Sequence, residues 1–302
     1  MKRRLAYAAR EGRDLALALL AFGAYLPVLL LPWRVVVGGA GFIASFIGVR
    51  IPRYRVVGLR NLAIAFPEMS EGERLEILRR SWDNMGRTAA EYFFLDRIWD
   101  YDPAAPEPGC IEFNGFENLI KLIEDGKPGI IVSAHLANWE LPMIAAARHG
   151  LDIVALYVRP HNRWIARMVL RKRTSVMGDL VMSDFRAPRR LSRALANGGH
   201  LGLLVDHFVL NGPKIPFFGR LTEANQIFAR LARHFNCPVH AVRVIRLPNS
   251  RFRIELTGEL ALPRDASGAV DVANAMKTVG SLFESWIQEH PDQWIWVHRR
   301  WR

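Results

Sequence analysis

Residues 131–140 read Ile-Val-Ser-Ala-His-Leu-Ala-Asn-Trp-Glu and bring together an imidazole at His135, an amide at Asn138 and a carboxylate at Glu140. Histidine is the side chain that titrates near neutrality, so a positioned imidazole can take the proton of an attacking hydroxyl. A carboxylate on one ring nitrogen fixes the tautomer and leaves the other nitrogen as the base. In one continuous helix, a five-residue spacing would set His135 and Glu140 about 140° apart, too far to meet. If His135 ends a strand and Asn138 caps the next helix, the turn between them can return the Glu140 carboxylate to the ring. The same spacing also fits a purely structural pair, a strand-end histidine tied to a helix-cap acid. Zinc is disfavoured, because the HExxH arrangement is absent and no third ligand of suitable spacing is nearby.

Arg159 follows an expected strand at 151–157 and would lie on the same sheet edge, where a guanidinium suits bidentate phosphate binding. Arg163, Arg167 and Arg171 recur every four residues and form one stripe on an expected helix, with Lys172 and Arg173 beside it. Such a stripe serves equally as a solvated face or as a contact for anionic partners. Asp206 ends an expected strand at 201–205, either as a substrate contact or as a turn cap, and a loop at 211–219 follows. Trp294, Trp296 and Trp301, interleaved with His298, Arg299 and Arg300, read as a stacking platform for nucleic acid or as membrane-interface residues.

The elements that must position these groups follow from periodicity. Residues 70–96 predict a helix opened by a Ser70/Glu73 capping box, and 102–108 predict a proline-rich loop. Helices are expected at 115–124, 140–148, 163–173, 189–197, 222–234 and 272–289, and strands at 129–133, 151–157 and 201–205. Residues 239–246 and 252–256 predict a hairpin about Pro248-Asn249-Ser250. The alternation implies an α/β fold with a mostly parallel central sheet flanked by helices, whose ligands sit at the carboxyl edge.

The chain has 302 residues, half of them hydrophobic, with 41 Lys and Arg against 29 Asp and Glu. That composition excludes disorder and collagen, and the two cysteines, Cys110 and Cys237, do not make a disulfide scaffold. The net charge of +12 favours an anionic partner. Residues 2–13 are basic, and Leu15 to Trp33 form 19 uncharged residues, roughly 28 Å as a helix. Pro27 and Pro32 interrupt this run, and Gly38, Gly39 and Gly41 are expected to loosen the apolar run after it. Arg34, Arg50, Arg53, Arg55 and Arg60 place positive charge on the far side too, which argues against a simple span. The expectation is an anchor over 1–52, re-entrant or interfacial in preference to a single span, followed by an α/β domain over 53–302. A signal peptide and a buried core helix are the alternatives.

Several segments resemble the lipid A secondary acyltransferases, the lauroyl/myristoyl group within the glycerophosphate and lysophospholipid acyltransferase superfamily. His135 and Glu140 match its HxxxxE signature. Arg60 to Glu68 (RNLAIAFPE), Gly115 to Asn118, Tyr157 to Pro160, Pro216 to Gly219 (PFFG) and Gln293 to Arg300 are similar to further elements, in order. Leu136-Ala137 stands where the family usually has Phe-Gly, and Asp206-His207 where it usually has Asp-Gln. The resemblance implies acyl transfer from acyl carrier protein to a hydroxyl of a lipid A precursor at the cytoplasmic face of a cell inner membrane. It implies His135 as base, Glu140 as its orienting acid, contact with anionic membrane rather than nucleic acid, and no metal or cofactor. Arg159, Asn138, Asp206 and Arg163 would contact substrate. A same-fold enzyme acting on a lysophospholipid or other glycolipid, and a non-catalytic basic binding module, are the rival readings.

Overall fold

The computed structural model describes residues 31–105, 107–158, 167, 170, 171 and 173–302. Helices α1 (Trp33–Gly48), α2 (Pro52–Ala65) and α3 (Glu71–Glu91) come first. Helix α3 opens as expected. Ser70 Oγ accepts from the Glu73 N–H, and the Glu73 carboxylate accepts from the Ser70 N–H, so two otherwise orphaned donors are satisfied. It ends at Glu91, earlier than expected, and a single turn, α4 (Leu95–Ile98), follows.

The glycines of α1 do not loosen it. Val37, Gly41, Ser45 and Gly48 form a buried stripe, and α1 packs against α3. A Cβ added at Gly41 would lie 2.6 Å from Asp83 Oδ1, and one at Gly86 would lie 2.5 Å from the Ala40 carbonyl oxygen. Both distances are inside contact range, so these glycines let two helix backbones approach closely. The opposite face of α1 leaves Val35, Phe42, Ile43, Phe46 and Ile47 exposed. Helices α1 and α2 meet at 91°; no single described helix is long and apolar enough to cross a membrane, although this bent pair together meets that length and apolarity. Residues 1–30, which hold most of the expected anchor, lie outside the described residues.

The central sheet has the order β1-β9-β8-β2-β5-β3-β4. Its strands are β1 (Ile111–Asn114), β2 (Gly129–Ser133), β3 (Ile153–Tyr157), β4 (Asp179–Met182), β5 (His200–Leu204), β8 (Val239–Leu247) and β9 (Arg251–Leu256). Strands β8, β2, β5, β3 and β4 run parallel, while β9 and β1 run opposite to them across the antiparallel β8–β9 hairpin. The mostly parallel sheet and that hairpin are therefore as expected. Alternate residues of β2 feed opposite layers: Ile130 and Val132 join α8 (Ile227–Phe235), α9 (Val272–Glu289) and Trp294, whereas Ile131 joins α6 (Leu141–Arg148) and the segment before β1. Helices α5 (Phe116–Glu124) and α7 (Ala187–Ala196) complete the two layers.

Residues 211–223 differ from expectation. In place of a loop and the start of a helix, β6 (Lys214–Phe217) and β7 (Arg220–Glu223) form an antiparallel hairpin. Phe218 and Gly219 at its tip have φ of 51° and 70°, the left-handed pair a two-residue hairpin turn requires. Helix α8 consequently starts at Ile227.

Candidate active site

Strands β2 and β5 are adjacent and parallel, with Gly129 opposite His200 and Ser133 opposite Leu204. Two residues further along each strand, the same register sets His135 beside Asp206. Asp206 Oδ1 lies 2.7 Å from His135 Nδ1, and Oδ2 accepts the His135 backbone N–H at 2.9 Å and the Trp294 indole N–H at 2.8 Å. Burial alone would raise the Asp206 carboxyl, but the His135 and His207 imidazoles and the hydrogen bonds from His135 outweigh it and hold Asp206 well below the usual carboxylate range. An ionised carboxylate only accepts, so His135 Nδ1 carries the proton and Nε2 is left as the basic nitrogen.

The carboxylate that orients His135 is thus Asp206, not Glu140. The Glu140 carboxylate instead accepts from the Tyr92 hydroxyl and from the Arg173 guanidinium, and Arg173 also donates to the Tyr92 oxygen at 2.5 Å. Burial, followed by the Glu140 charge, pushes the Tyr92 phenol well above its ordinary value. The short turn from His135 to Glu140 does not fold back on the ring, because Ala137 takes a left-handed φ of 47° and its N–H is tied to the Gln293 carbonyl at 3.0 Å. Alanine occupies here the conformation that glycine adopts without strain.

Asn138 is not the cap of α6; Glu140 holds that position. The Asn138 amide is buried, donating to Glu91 at 2.9 Å while its oxygen accepts the Glu140 N–H at 3.2 Å. This puts it in a polar network with Glu91, Arg246 and Asn84 rather than on a substrate surface. Arg159 and Arg163 lie outside the described residues, and Arg167 and Arg171 are exposed. Trp294, Trp296 and Trp301 are buried, so they form neither a nucleic-acid platform nor a membrane belt. They lock the carboxy-terminal tail instead. Asn61 donates to the Trp296 and His298 carbonyls at 2.7 Å each, Ser81 to the Trp294 carbonyl at 2.6 Å, and Trp301 to the Phe217 carbonyl at 3.2 Å.

Sequence reasoning did not anticipate His207 and Arg173 as site residues. The His207 ring stacks on His135 at 3.8 Å with 4° between planes, and His298 lies against its other face at 4.2 Å. Burial drags His207 down to about 2 and His298 to about 4, so both are neutral. One ligand atom each from His135, Asp206 and His207 falls within 4.8 Å of the others. The hydrogen bonds already made by Asp206 and His135 Nδ1, and the face-to-face stacking of the rings, disfavour convergence on a metal ion.

His135, Glu140, Tyr92 and Arg173 line one cavity of about 620 Å³, whose walls include Ile131, Met143, Ile153, Ala155, Met177 and Leu203. A carboxylate-fixed imidazole beside an apolar cavity, at the carboxyl ends of parallel strands, is an arrangement able to deprotonate a hydroxyl next to a bound apolar group. The chain matches the family of bacterial lipid A biosynthesis acyltransferases over residues 12–302 and belongs to it. It is 24% identical over 277 residues to the lipid A biosynthesis palmitoleoyltransferase of Escherichia coli (strain K12), covering 86% of this chain and 85% of that protein. The lipid A biosynthesis acyltransferase of Shigella flexneri matches with the same identity and coverage. The protein is therefore an acyltransferase of lipid A biosynthesis.

Proposed function

We propose that the enzyme takes a fatty acyl group from a thioester on acyl carrier protein and places it on a hydroxyl of a lipid A precursor, with His135 as general base. The observation that carries this reading is the ring of His135, held through Nδ1 by buried, ionised Asp206 and lining the apolar cavity. His135 Nε2 takes the hydroxyl proton as the oxygen attacks the thioester carbonyl, an effect worth about 10² to 10⁴ in rate. The C–O bond forms, the C–S bond breaks, and the imidazolium returns its proton to the departing thiolate. Asp206 stabilises the imidazolium.

Arg173 is the one guanidinium among the described lining residues, and its Nε–H is buried without a hydrogen-bond partner. That donor suits the oxyanion that develops on the carbonyl. The apolar walls suit the acyl chain.

The reading extends to an inner membrane, with the site on its cytoplasmic face, where a carrier protein has access. The exposed apolar face of α1, with Ile51 and Val56 at the α1–α2 elbow, and nearby Arg50, Arg53 and Arg55 support contact with an anionic bilayer surface.

The test is an assay of the full chain in detergent with acyl carrier protein thioesters and tetra-acylated precursor, read by mass spectrometry. A single added acyl ester is expected with the carrier-protein donor. Absence of transfer from every thioester, or transfer to a lysophospholipid only, would contradict the proposal.

A further inference from the structure

A second cavity, of about 300 Å³, abuts the first and shares His207 and Phe208 with it. Its walls come from three places: Arg53, Tyr54 and Val57 on α2, the His207-Phe208 loop after β5, and the tail from Val297 to Arg302. Among the described residues, Arg53, Arg299 and Arg302 line it and no aspartate or glutamate does. Arg302 is seated over the Phe208 ring at 4.4 Å. The Arg53 and Arg299 side chains have neither hydrogen bond nor ion pair among the described residues. Asn61 of α2 ties the tail on both sides of Val297, donating to the Trp296 and His298 carbonyls.

Independently of the arginines, His207 and His298 line it, and the Nε2 of each ring is buried without a hydrogen-bond partner among the described residues. His298 Nδ1 lies 3.0 Å from the Ile295 carbonyl, which can only accept, so Nδ1 carries the proton and Nε2 of the neutral ring is an acceptor. Guanidinium donors beside a buried acceptor match a phosphate monoester, which is acidic but still carries a P–OH for part of the time near neutrality. A phosphodiester has no such hydrogen to offer.

We infer that this cavity binds a phosphate monoester on the headgroup of the acceptor lipid and so fixes which hydroxyl reaches His135. The anion site stands on its own geometry, whereas its assignment to the acceptor rests on the acyl-transfer reading. Two features favour the acceptor over the donor. Its wall residues Arg53, Tyr54 and Val57 lie on the same first turns of α2 as the exposed Ile51 and Val56, the apolar elbow at which a membrane lipid would arrive. The His207 ring, stacked on His135 and in tilted contact with His298, also connects it directly to the base, so a bound phosphate holds the headgroup at a set distance from the reacting centre.

The test has a binding arm and a kinetic arm, both with the full chain in detergent. By calorimetry, wild type and His135→Ala are expected to bind glucose 1-phosphate alike and dimethyl phosphate more weakly. Arg53→Gln and Arg299→Gln are each expected to weaken glucose 1-phosphate binding by about 10- to 100-fold. Unchanged binding in both variants, or equal binding of the diester, overturns the anion site. In the kinetic arm the same variants are expected to raise KM for the acceptor, to leave KM for the acyl donor near wild type, and to spread the added acyl group over more than one hydroxyl. A rise in donor KM alone overturns the assignment to the acceptor. Loss of the acyl-transfer reading would show as absent turnover in wild type with the binding arm intact.

Discussion

Asp206 accepts the Trp294 indole N–H at 2.8 Å through the same oxygen that accepts the His135 backbone N–H. The carboxylate that orients the proposed base is therefore held from the other end of the chain. Trp294→Phe keeps most of the ring but removes that donor. A hydrogen bond to a buried charge contributes about 1.5 to 3 kcal/mol, so a loss of stability in that range is expected in urea titrations. The kcat is expected to fall with little change in KM, because the imidazole loses its fixed support. A fall in KM-based affinity with intact kcat would contradict this role.

Glu140 and Arg173 form a buried pair, with side chains 6% and 15% exposed. Removing one partner of such a pair costs about 3 to 5 kcal/mol, because the other charge is left buried and alone. Glu140→Gln and Arg173→Met are each expected to destabilise the protein on that scale. The double variant should cost less than the sum by about 1 to 3 kcal/mol. Strict additivity in urea titrations would show that the pair is not coupled.

Stability should depend on pH through the stacked histidines. Burial holds His298 down at about 4, whereas an unfolded histidine titrates near about 6.5. Below that value the unfolded chain binds the proton and the folded chain does not, so stability is lost as pH falls from about 6.5 toward about 4. His298→Gln should lose less stability than wild type between pH 7 and pH 5. Equal slopes of the urea midpoint against pH would contradict it.

Gly202 lies on the floor of the catalytic cavity, and a Cβ there would sit 2.5 Å from Met143 Sδ. Gly202→Val is expected to shift donor preference toward shorter acyl chains. Each methylene refused by an apolar pocket is worth about 10- to 200-fold in relative kcat/KM. Competition between thioesters of different lengths measures it, and an unchanged preference would remove this wall from the acyl site.

The strand-turn-helix around His135 was legible in the sequence because β2 is a short buried apolar run and His135 and Asn138 interrupt the apolar residues after it. The identity of the orienting acid was not. Sequence proximity favoured Glu140, five residues away, but the partner is Asp206, brought alongside by parallel strand register. The sequence puts Asp206 at the correct sheet edge but not in that role, because which strand neighbours β2 cannot be read from periodicity. The tryptophans misled for a related reason. A tail rich in Trp and Arg resembles a surface platform until α2 and α3 are known to supply the donors that bury it, Asn61 and Ser81. The short strands β1 and β4, four residues each at the sheet edges, carry too little pattern to stand out.

The most direct measurement is the turnover of His135→Ala beside wild type, each purified as the full chain, with carrier-protein thioester and acceptor at saturation. Removing a general base should cost about 10² to 10⁴ in kcat. The lost Nδ1–H bond to buried Asp206 should cost about 1.5 to 3 kcal/mol of stability, so turnover is read at a temperature where circular dichroism shows the variant folded, with glucose 1-phosphate binding close to wild type. A folded His135→Ala enzyme that turns over at the wild-type rate would contradict the assignment of His135 as the base.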